Sequence, residues 1–218
     1  NTLAANAGAL GDKQVDTEQT GTGFTPILGA NINLPKLNIG LKYEFQTKLV
    51  LENSTTVDDM GLFPDGEKTQ SDLPAILAIG ADYKVTDKFK ASLSYNLYFD
   101  KNVNWGNNIY GVKRTIDKNY VEIAIGLEYA VSDKLTLSVG GMSSNTGVSE
   151  DYQSDFSYSN DSYTGGLGFS YKLSEKLILD AGFMYTGYVN ATKDFGTYTE
   201  DYDKKTTVAA IGISYKIF

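Results

Sequence analysis

The amino-acid sequence predicts an all-β chain built as an antiparallel transmembrane β-barrel, and three observations carry that prediction. Apolar and polar residues alternate over ten or more positions in one stretch after another, the period-2 mark of a strand with two unlike faces. One phrase (a tyrosine, any residue, an aliphatic residue, Ser or Thr, Asp or Glu, lysine, an apolar residue) stands at Tyr83 to Phe89, Tyr129 to Leu135 and Tyr171 to Leu177. A fourth copy, Tyr215-Lys216-Ile217, is cut short, and the four tyrosines lie 46, 42 and 44 residues apart. A period of that size marks one supersecondary unit per repeat, here a pair of strands. Finally, aromatic residues gather near both ends of the alternating stretches, where an amphipathic ring prefers to sit in a membrane.

Taken in order, the pattern predicts nine strands near residues 21–32, 37–52, 72–85, 89–101, 118–131, 135–146, 161–173, 177–190 and 205–217. The first opens after Gly21-Thr22-Gly23. In the second, Leu37, Ile39, Leu41, Tyr43, Phe45, Leu49 and Leu51 oppose Asn38, Gly40, Lys42, Glu44, Gln46 and Lys48. The fourth sets Phe89, Ala91, Leu93, Tyr95, Leu97 and Phe99 against Lys90, Ser92, Ser94 and Asn96, and the fifth sets Val121, Ile123, Ile125, Leu127 and Tyr129 against Glu122, Ala124, Gly126 and Glu128. Leu167, Phe169, Tyr171 and Leu173 do the same in the seventh against Gly166, Gly168, Ser170 and Lys172. Each Ser/Thr-Asp/Glu-Lys triplet then becomes a tight turn. Short turns at 33–36, 86–88, 132–134 and 174–176 alternate with long polar loops, so one end of the wall is all turns and the other all loops.

A soluble β-sandwich or barrel also alternates, and the aromatics decide against it. Tyr83, Phe89, Tyr129, Tyr171 and Tyr215 lie on the apolar face within a few residues of the turn end, and Phe24, Phe99 and Tyr163 recur near the loop end, as two interfacial girdles require. The last strand, Gly212-Ile213-Ser214-Tyr215-Lys216-Ile217, has the glycine and alternating apolar positions of a terminal barrel strand. It departs from the usual form in that Ile217 holds the register and Phe218 is one residue extra.

Composition limits the remaining classes. There is no cysteine and no histidine, and no apolar run approaches the roughly 20 residues of a membrane helix. Histidine-dependent hydrolysis or acyl transfer is therefore excluded for this segment, and no cofactor is expected. A mean hydropathy of -0.26 looks soluble, but a barrel hides its lipid face in alternation. The net charge of -8 argues against a nucleic-acid partner. Acidic clusters at Asp58/Asp59/Asp65/Glu67, Glu150/Asp151/Asp155 and Asp194/Glu200/Asp201/Asp203 lack any recognisable cation-ligand spacing and read as solvated loops, so no metal site is expected. No secretory signal stands at Asn1, from which the chain is expected to be mature or truncated.

Gly21-Thr22-Gly23-Phe24-Thr25-Pro26 opening a strand, the Lys42-Tyr43-Glu44 strand, and Leu73-Pro74-Ala75 leading into Ile79-Gly80-Ala81-Asp82-Tyr83-Lys84-Val85-Thr86-Asp87-Lys88-Phe89 resemble the C-terminal part of the FadL/TodX family. These are outer-membrane transporters of long-chain fatty acids and other hydrophobic compounds. The resemblance implies a fourteen-stranded barrel with an N-terminal plug, in the bacterial outer membrane. It also implies that residues 1–20 belong to the long extracellular loop offering a first docking site, with Leu3 and Leu10 as apolar lining, and that residues 21–218 form barrel strands.

Strand parity supplies a separate expectation. Nine strands place the first and last in the same direction, and a bacterial barrel closes on an even number. An odd number is expected to be missing; five would make the family's fourteen. The remaining strands and the plug would then be a partner, as part of the same polypeptide or as a separate chain.

On the face away from lipid, Ile27, Ile76, Ile178, Met184 and Val208 are apolar and Tyr98, Tyr120 and Tyr188 add aromatic surface. A water-filled porin has little use for them. They would contact a hydrophobic substrate or pack against a plug, and the sequence leaves both open. Lys42, Lys48 and Lys90 are the inward cations available to a carboxylate head group, and Arg114 is the only arginine. The expected function is passive outer-membrane uptake of fatty acids or other hydrophobic molecules. The alternative is a barrel of the same kind serving as a structural or docking component of a surface-protein secretion or attachment complex.

Overall fold

The computed structural model describes residues 13–106, 113, 115–149, 152–153 and 158–217. The chain divides into two compact units.

The larger unit (26–45, 74–102 and 115–218) contains one sheet of nine strands. In chain order these are β2 (Ile27–Asn33), β3 (Leu37–Glu44), β6 (Ile76–Lys84), β7 (Phe89–Tyr98), β8 (Tyr120–Ala130), β9 (Leu135–Asn145), β10 (Ser162–Lys172), β11 (Leu177–Tyr188) and β14 (Lys205–Tyr215). Each pairs antiparallel with its sequential neighbour in the sheet. A hairpin of β12 (Ala191–Asp194) and β13 (Thr199–Tyr202) occupies the last long loop. The nine expected strands are thus all present and in order. The sheet is open, because its edge strands β2 and β14 do not pair.

The turns form because their side chains and backbones lock locally. Thr86 Oγ1 accepts the amides of Lys88 and Phe89 at 3.2 and 3.0 Å, Ser132 Oγ those of Lys134 and Leu135 at 3.3 and 3.2 Å, and Ser174 Oγ that of Lys176 at 3.3 Å. The turn lysines then stitch neighbouring hairpins together. The carbonyls of Lys36, Lys88, Lys134 and Lys176 each accept an amide at 2.8 Å, from Lys84, Ala130, Lys172 and Lys216 respectively.

Register keeps the two faces separate across the whole sheet, since directly paired residues share a face. Leu41–Ile79–Tyr95–Ile123 and Ala81–Leu93–Ile125 run across it on one side, and Leu127–Val139–Leu167–Phe183 continue that side. These side chains are not packed against a second layer. Ile125 is 57% exposed, Leu167 64% and Ile211 80%, and among the described residues no large side chain is fully buried. An apolar face of this extent is unstable in water, whereas lipid supplies the apolar solvent it lacks. Eleven residues of β8, at about 3.3 Å each and tilted about 40°, span about 25 Å of height, the thickness of a barrel's apolar band. Tyr83, Tyr129, Tyr171 and Tyr215 fringe the turn end of this face, and Tyr43, Phe45 and Phe99 cluster at the loop end with ring centroids 4.9 and 6.3 Å from Tyr43.

The smaller unit (1–25, 46–73 and 103–114) corrects the expected second strand. The expected strand 37–52 ends at Glu44 in the nine-stranded sheet, and only its last three residues belong to β4 (Val50–Asp58), which pairs with β1 (Val15–Thr20) and β5 (Lys68–Gln70). The buried Asp72 carboxylate holds this segment: it accepts the Leu49 amide at 3.1 Å and the side-chain amides of Gln46 and Gln70 at 3.1 to 3.2 Å. The Thr47–Leu73 bridge and the Thr25–Thr47 hydroxyl contact complete the knot. The first expected strand likewise starts only at Ile27, and the third at Ile76, two residues after Pro74, which has no amide to donate. The expected docking residues Leu3 and Leu10 lie outside the described residues, as do Arg114, Glu150, Asp151, Asp155 and Phe218.

At the end of β4, Asp58 accepts the amides of Phe63 at 2.7 Å and Leu62 at 3.0 Å, which hold its carboxyl below the ordinary value of 3.8. A depressed folded pKa gives stability that is full above the ordinary value and lost as pH falls through the folded one. Protease cleavage within residues 59–66 is therefore expected to rise as pH drops below about 4, and Asp58→Asn to remove that pH dependence. A second outcome tests the two faces. Leu93→Lys, on the apolar side, is expected to cost about 2–4 kcal/mol in vesicle unfolding titrations, whereas Ser94→Lys, on the opposite side, costs little.

Candidate functional site

The face opposite the apolar band can be followed rung by rung. At the loop end Ile27, Glu44, Ile76, Tyr98 and Tyr120 are successive cross-strand partners on β2, β3, β6, β7 and β8. The next rung runs Gly29–Lys42–Ala78–Asn96–Glu122–Ser144–Ser162–Tyr188. Four of the expected substrate contacts, Ile27, Ile76, Tyr98 and Tyr120, therefore share one rung.

Glu122 organises this end, and the sequence reading did not single it out. Its carboxylate accepts the Tyr120 hydroxyl at 2.5 Å, the Tyr98 hydroxyl at 3.2 Å and the Asn96 side-chain amide at 3.2 Å. The two tyrosine rings stack with centroids 4.7 Å apart. The start of β8 is fixed from below by Asp100, which accepts the Tyr120 amide at 2.9 Å; burial raises the Asp100 pKa against the lowering effect of that bond. The result is a rigid aromatic plate beside Ile76, with its hydroxyls already spent on Glu122.

The remaining expected residues fall elsewhere. Met184 pairs with Val208 midway down the sheet and lines a hollow of about 760 Å³ over β8 to β11 and β14, floored by Gly140, Gly166, Gly168 and Gly182. A methyl group on Gly140 would come 3.0 Å from the Ile125 carbonyl oxygen, so this floor stays flat. Ile178 lies near the turn end between Lys172 and Ser214, about 20 Å along β11 from Met184 at six residues of 3.3 Å. Tyr188 is at the loop end of β11 with the Lys204 ammonium 4.8 Å over its ring. Ile27 and Lys42 line a separate hollow of about 560 Å³ over β2, β3 and β6.

The cations divide in a way the sequence did not suggest. Lys42 is paired with Glu44 at 2.6 Å and Lys90 with Glu128 at 2.9 Å. Lys48 is not on this face at all, because it sits between β3 and β4 in the smaller unit. Asn38 Oδ1, on the same face, is a buried side-chain oxygen without a hydrogen-bond partner, left for solvent or a ligand donor.

A family model described as outer membrane protein transport protein (OMPP1/FadL/TodX) matches residues 2–217. The chain belongs to the FadL/TodX family. Among solved structures, this FadL/TodX chain is similar to a Pseudomonas aeruginosa FadL homologue, at 16% identity and a TM-score of 0.66 over 87% of this chain and 51% of that one. It is also similar to the CymD monoaromatic hydrocarbon channel (14% identity, TM-score 0.56, 100% of this chain and 64% of that one) and to the Pseudomonas putida toluene transporter TodX (13%, 0.56, 99% and 56%). At these identities the likeness concerns the fold. The chain spans about half to two-thirds of the length of each. No curated protein matches. These neighbours agree with the two-faced antiparallel sheet, and the family places the chain in the bacterial outer membrane.

Because Glu122 carries three donors, its loss should be felt by all of them. Glu122→Ala is expected to lower stability by about 1–3 kcal/mol by leaving the tyrosine hydroxyls unpaired, and Tyr120→Phe by less, as read from urea midpoints in vesicles. Combining Glu122→Ala with Tyr120→Phe should cost less than the sum of the two.

Proposed function

We propose that this sheet is part of the wall of an outer-membrane channel through which hydrophobic small molecules, long-chain fatty acids among them, pass by diffusion. The observation that carries this reading is the loop-end rung: two isoleucines and a stacked tyrosine pair on the face turned away from lipid, where most residues are small or polar. The CymD monoaromatic hydrocarbon channel and the toluene transporter TodX, both similar in fold, support a hydrophobic cargo. A molecule covering about 200 Å² of this surface gains about 5 kcal/mol before the costs of association. That magnitude suits brief binding and release rather than capture.

The loop-end rung receives the apolar body of the cargo. The cation on the adjoining rung, Lys42, is spent on Glu44, and Glu122 adds negative charge. In this reading the sheet is completed by an odd number of strands beyond these nine, with a plug in the lumen; five would reach the family's fourteen.

Ile76→Asp combined with Ile27→Asp is expected to slow entry of an uncharged long-chain alcohol about tenfold in cells whose other hydrophobic channels are deleted. Unchanged entry, together with loss of a copurifying surface protein when the long loops are trimmed, would instead favour the docking role. Mass spectrometry of the denatured, purified membrane protein should show the five further strands, on the same polypeptide or on a companion one.

A further inference from the structure

We infer that the turn end of the same face carries an anion-binding site, built from Lys36, Lys84 and Lys90, that takes the carboxylate or phosphate head of an amphiphilic cargo. Lys84 and Lys90 are direct cross-strand partners on β6 and β7, and the Lys84 amide donates to the Lys36 carbonyl at 2.8 Å. Three lysines therefore occupy neighbouring positions at the turn end, Lys36 just before β3 and the other two on β6 and β7. Like charges set directly opposite each other on adjacent strands destabilise a sheet. Only one of the three is answered: Lys90 meets Glu128 at 2.9 Å.

Of the other carboxylates nearby, Asp82 is two residues further in on β6 and accepts the Ser92 hydroxyl at 2.5 Å, and Asp87 stands in the turn three residues from both Lys84 and Lys90. Among the described residues, no ion pair within 4 Å involves Lys36 or Lys84, and both are exposed. The contrast with the loop end is direct, because Lys42 there is closed by Glu44 on its own strand. A carboxylate or phosphate placed between the lysine side chains would relieve their repulsion with charge-assisted hydrogen bonds.

An amphiphile rather than a free anion is favoured by what lies above the lysines. Asn38, Gly40, Gly80, Asp82, Ser92 and Gly126 are among the residues that line a hollow of about 410 Å³ on β3 and β6 to β8, next to this rung. Ile76 is eight residues up β6 from Lys84, about 26 Å at 3.3 Å per residue. A cargo whose apolar body enters past Ile76 thus meets Lys36 and Lys84 at the far end of the same strands. The inference rests on the transport reading for its cargo, and names the group that cargo carries.

The test is equilibrium binding of dodecanoic acid and of dodecanol to the complete purified protein in nanodiscs at pH 8, where the acid is ionised and lysine charged. The parent protein is expected to favour the acid, and Lys36→Gln with Lys84→Gln to reduce the acid-to-alcohol affinity ratio at least tenfold, with the arginine variants at both positions retaining it. An unchanged ratio, or no preference for the acid in the parent, overturns the proposal. Dodecyl phosphate should compete with the acid. Equal competition by inorganic phosphate would overturn the assignment to an amphiphile. Loss of the ratio in the glutamine variants, in a protein that carries neither compound into cells, would uphold the anion site while refuting transport.

Discussion

The structure of the larger unit depends on one constraint: nine strands hold a single register so that every apolar side chain stays on one face. A one-residue slip anywhere would move a whole strand's apolar set to the other side. The pairings from β2 to β14 contain no such slip. The turns secure this, since the Thr86, Ser132 and Ser174 hydroxyls fix each hairpin and the turn-lysine carbonyls tie each hairpin to the next. Ordinary globular stability comes from burying apolar surface inside protein, and here that surface is left outside. The membrane completes the fold by acting as solvent for Leu93, Ile125, Leu167 and Ile211.

The same register that frees one face for lipid writes charge onto the other. Along β3 and β6 the loop end is closed electrostatically, Lys42 by Glu44, and its tyrosine hydroxyls are closed by Glu122. The turn end is left open at Lys36 and Lys84. A two-faced sheet can grade polarity along its axis in this way without changing its backbone, because each added rung is an independent choice of side chain. The small residues between, Gly40, Gly80 and Gly126, keep the path between the two ends low.

Most of this architecture was legible in the sequence because alternation is local: the nine strands, their order and their two faces follow from spacing alone. The break after Glu44 was not. Leu49 and Leu51 continue the alternation, and what holds this segment apart from β3 is the Asp72 carboxylate, 23 residues from the Leu49 amide it accepts, an interaction no local pattern contains. The candidate site was half legible for the same reason. Ile27, Ile76, Tyr98 and Tyr120 stood out as apolar residues on a polar face, but their union in one rung needs the register between strands. Glu122 was hidden by looking ordinary among polar neighbours, Lys36 by reading as a turn residue, and Lys84 by falling on the variable position of the repeated phrase. Lys48 lies past the end of β3, between that strand and β4.

The open edges follow from parity and limit how the wall is completed. Eight antiparallel junctions separate β2 from β14, so these two strands run the same way. A second copy of this chain set edge to edge would bring β14 against β2 in parallel, and the same holds for any number of copies in a ring. Lipid offers no water to hydrogen-bond an unpaired strand edge, so neither edge is stable there alone. A continuous antiparallel ladder is restored only by an odd number of strands of different sequence, the first pairing with one edge and the last with the other. Self-assembly of these nine strands in a ring, like completion by an even number of strands, is therefore a route to a closed antiparallel wall that their own directions forbid.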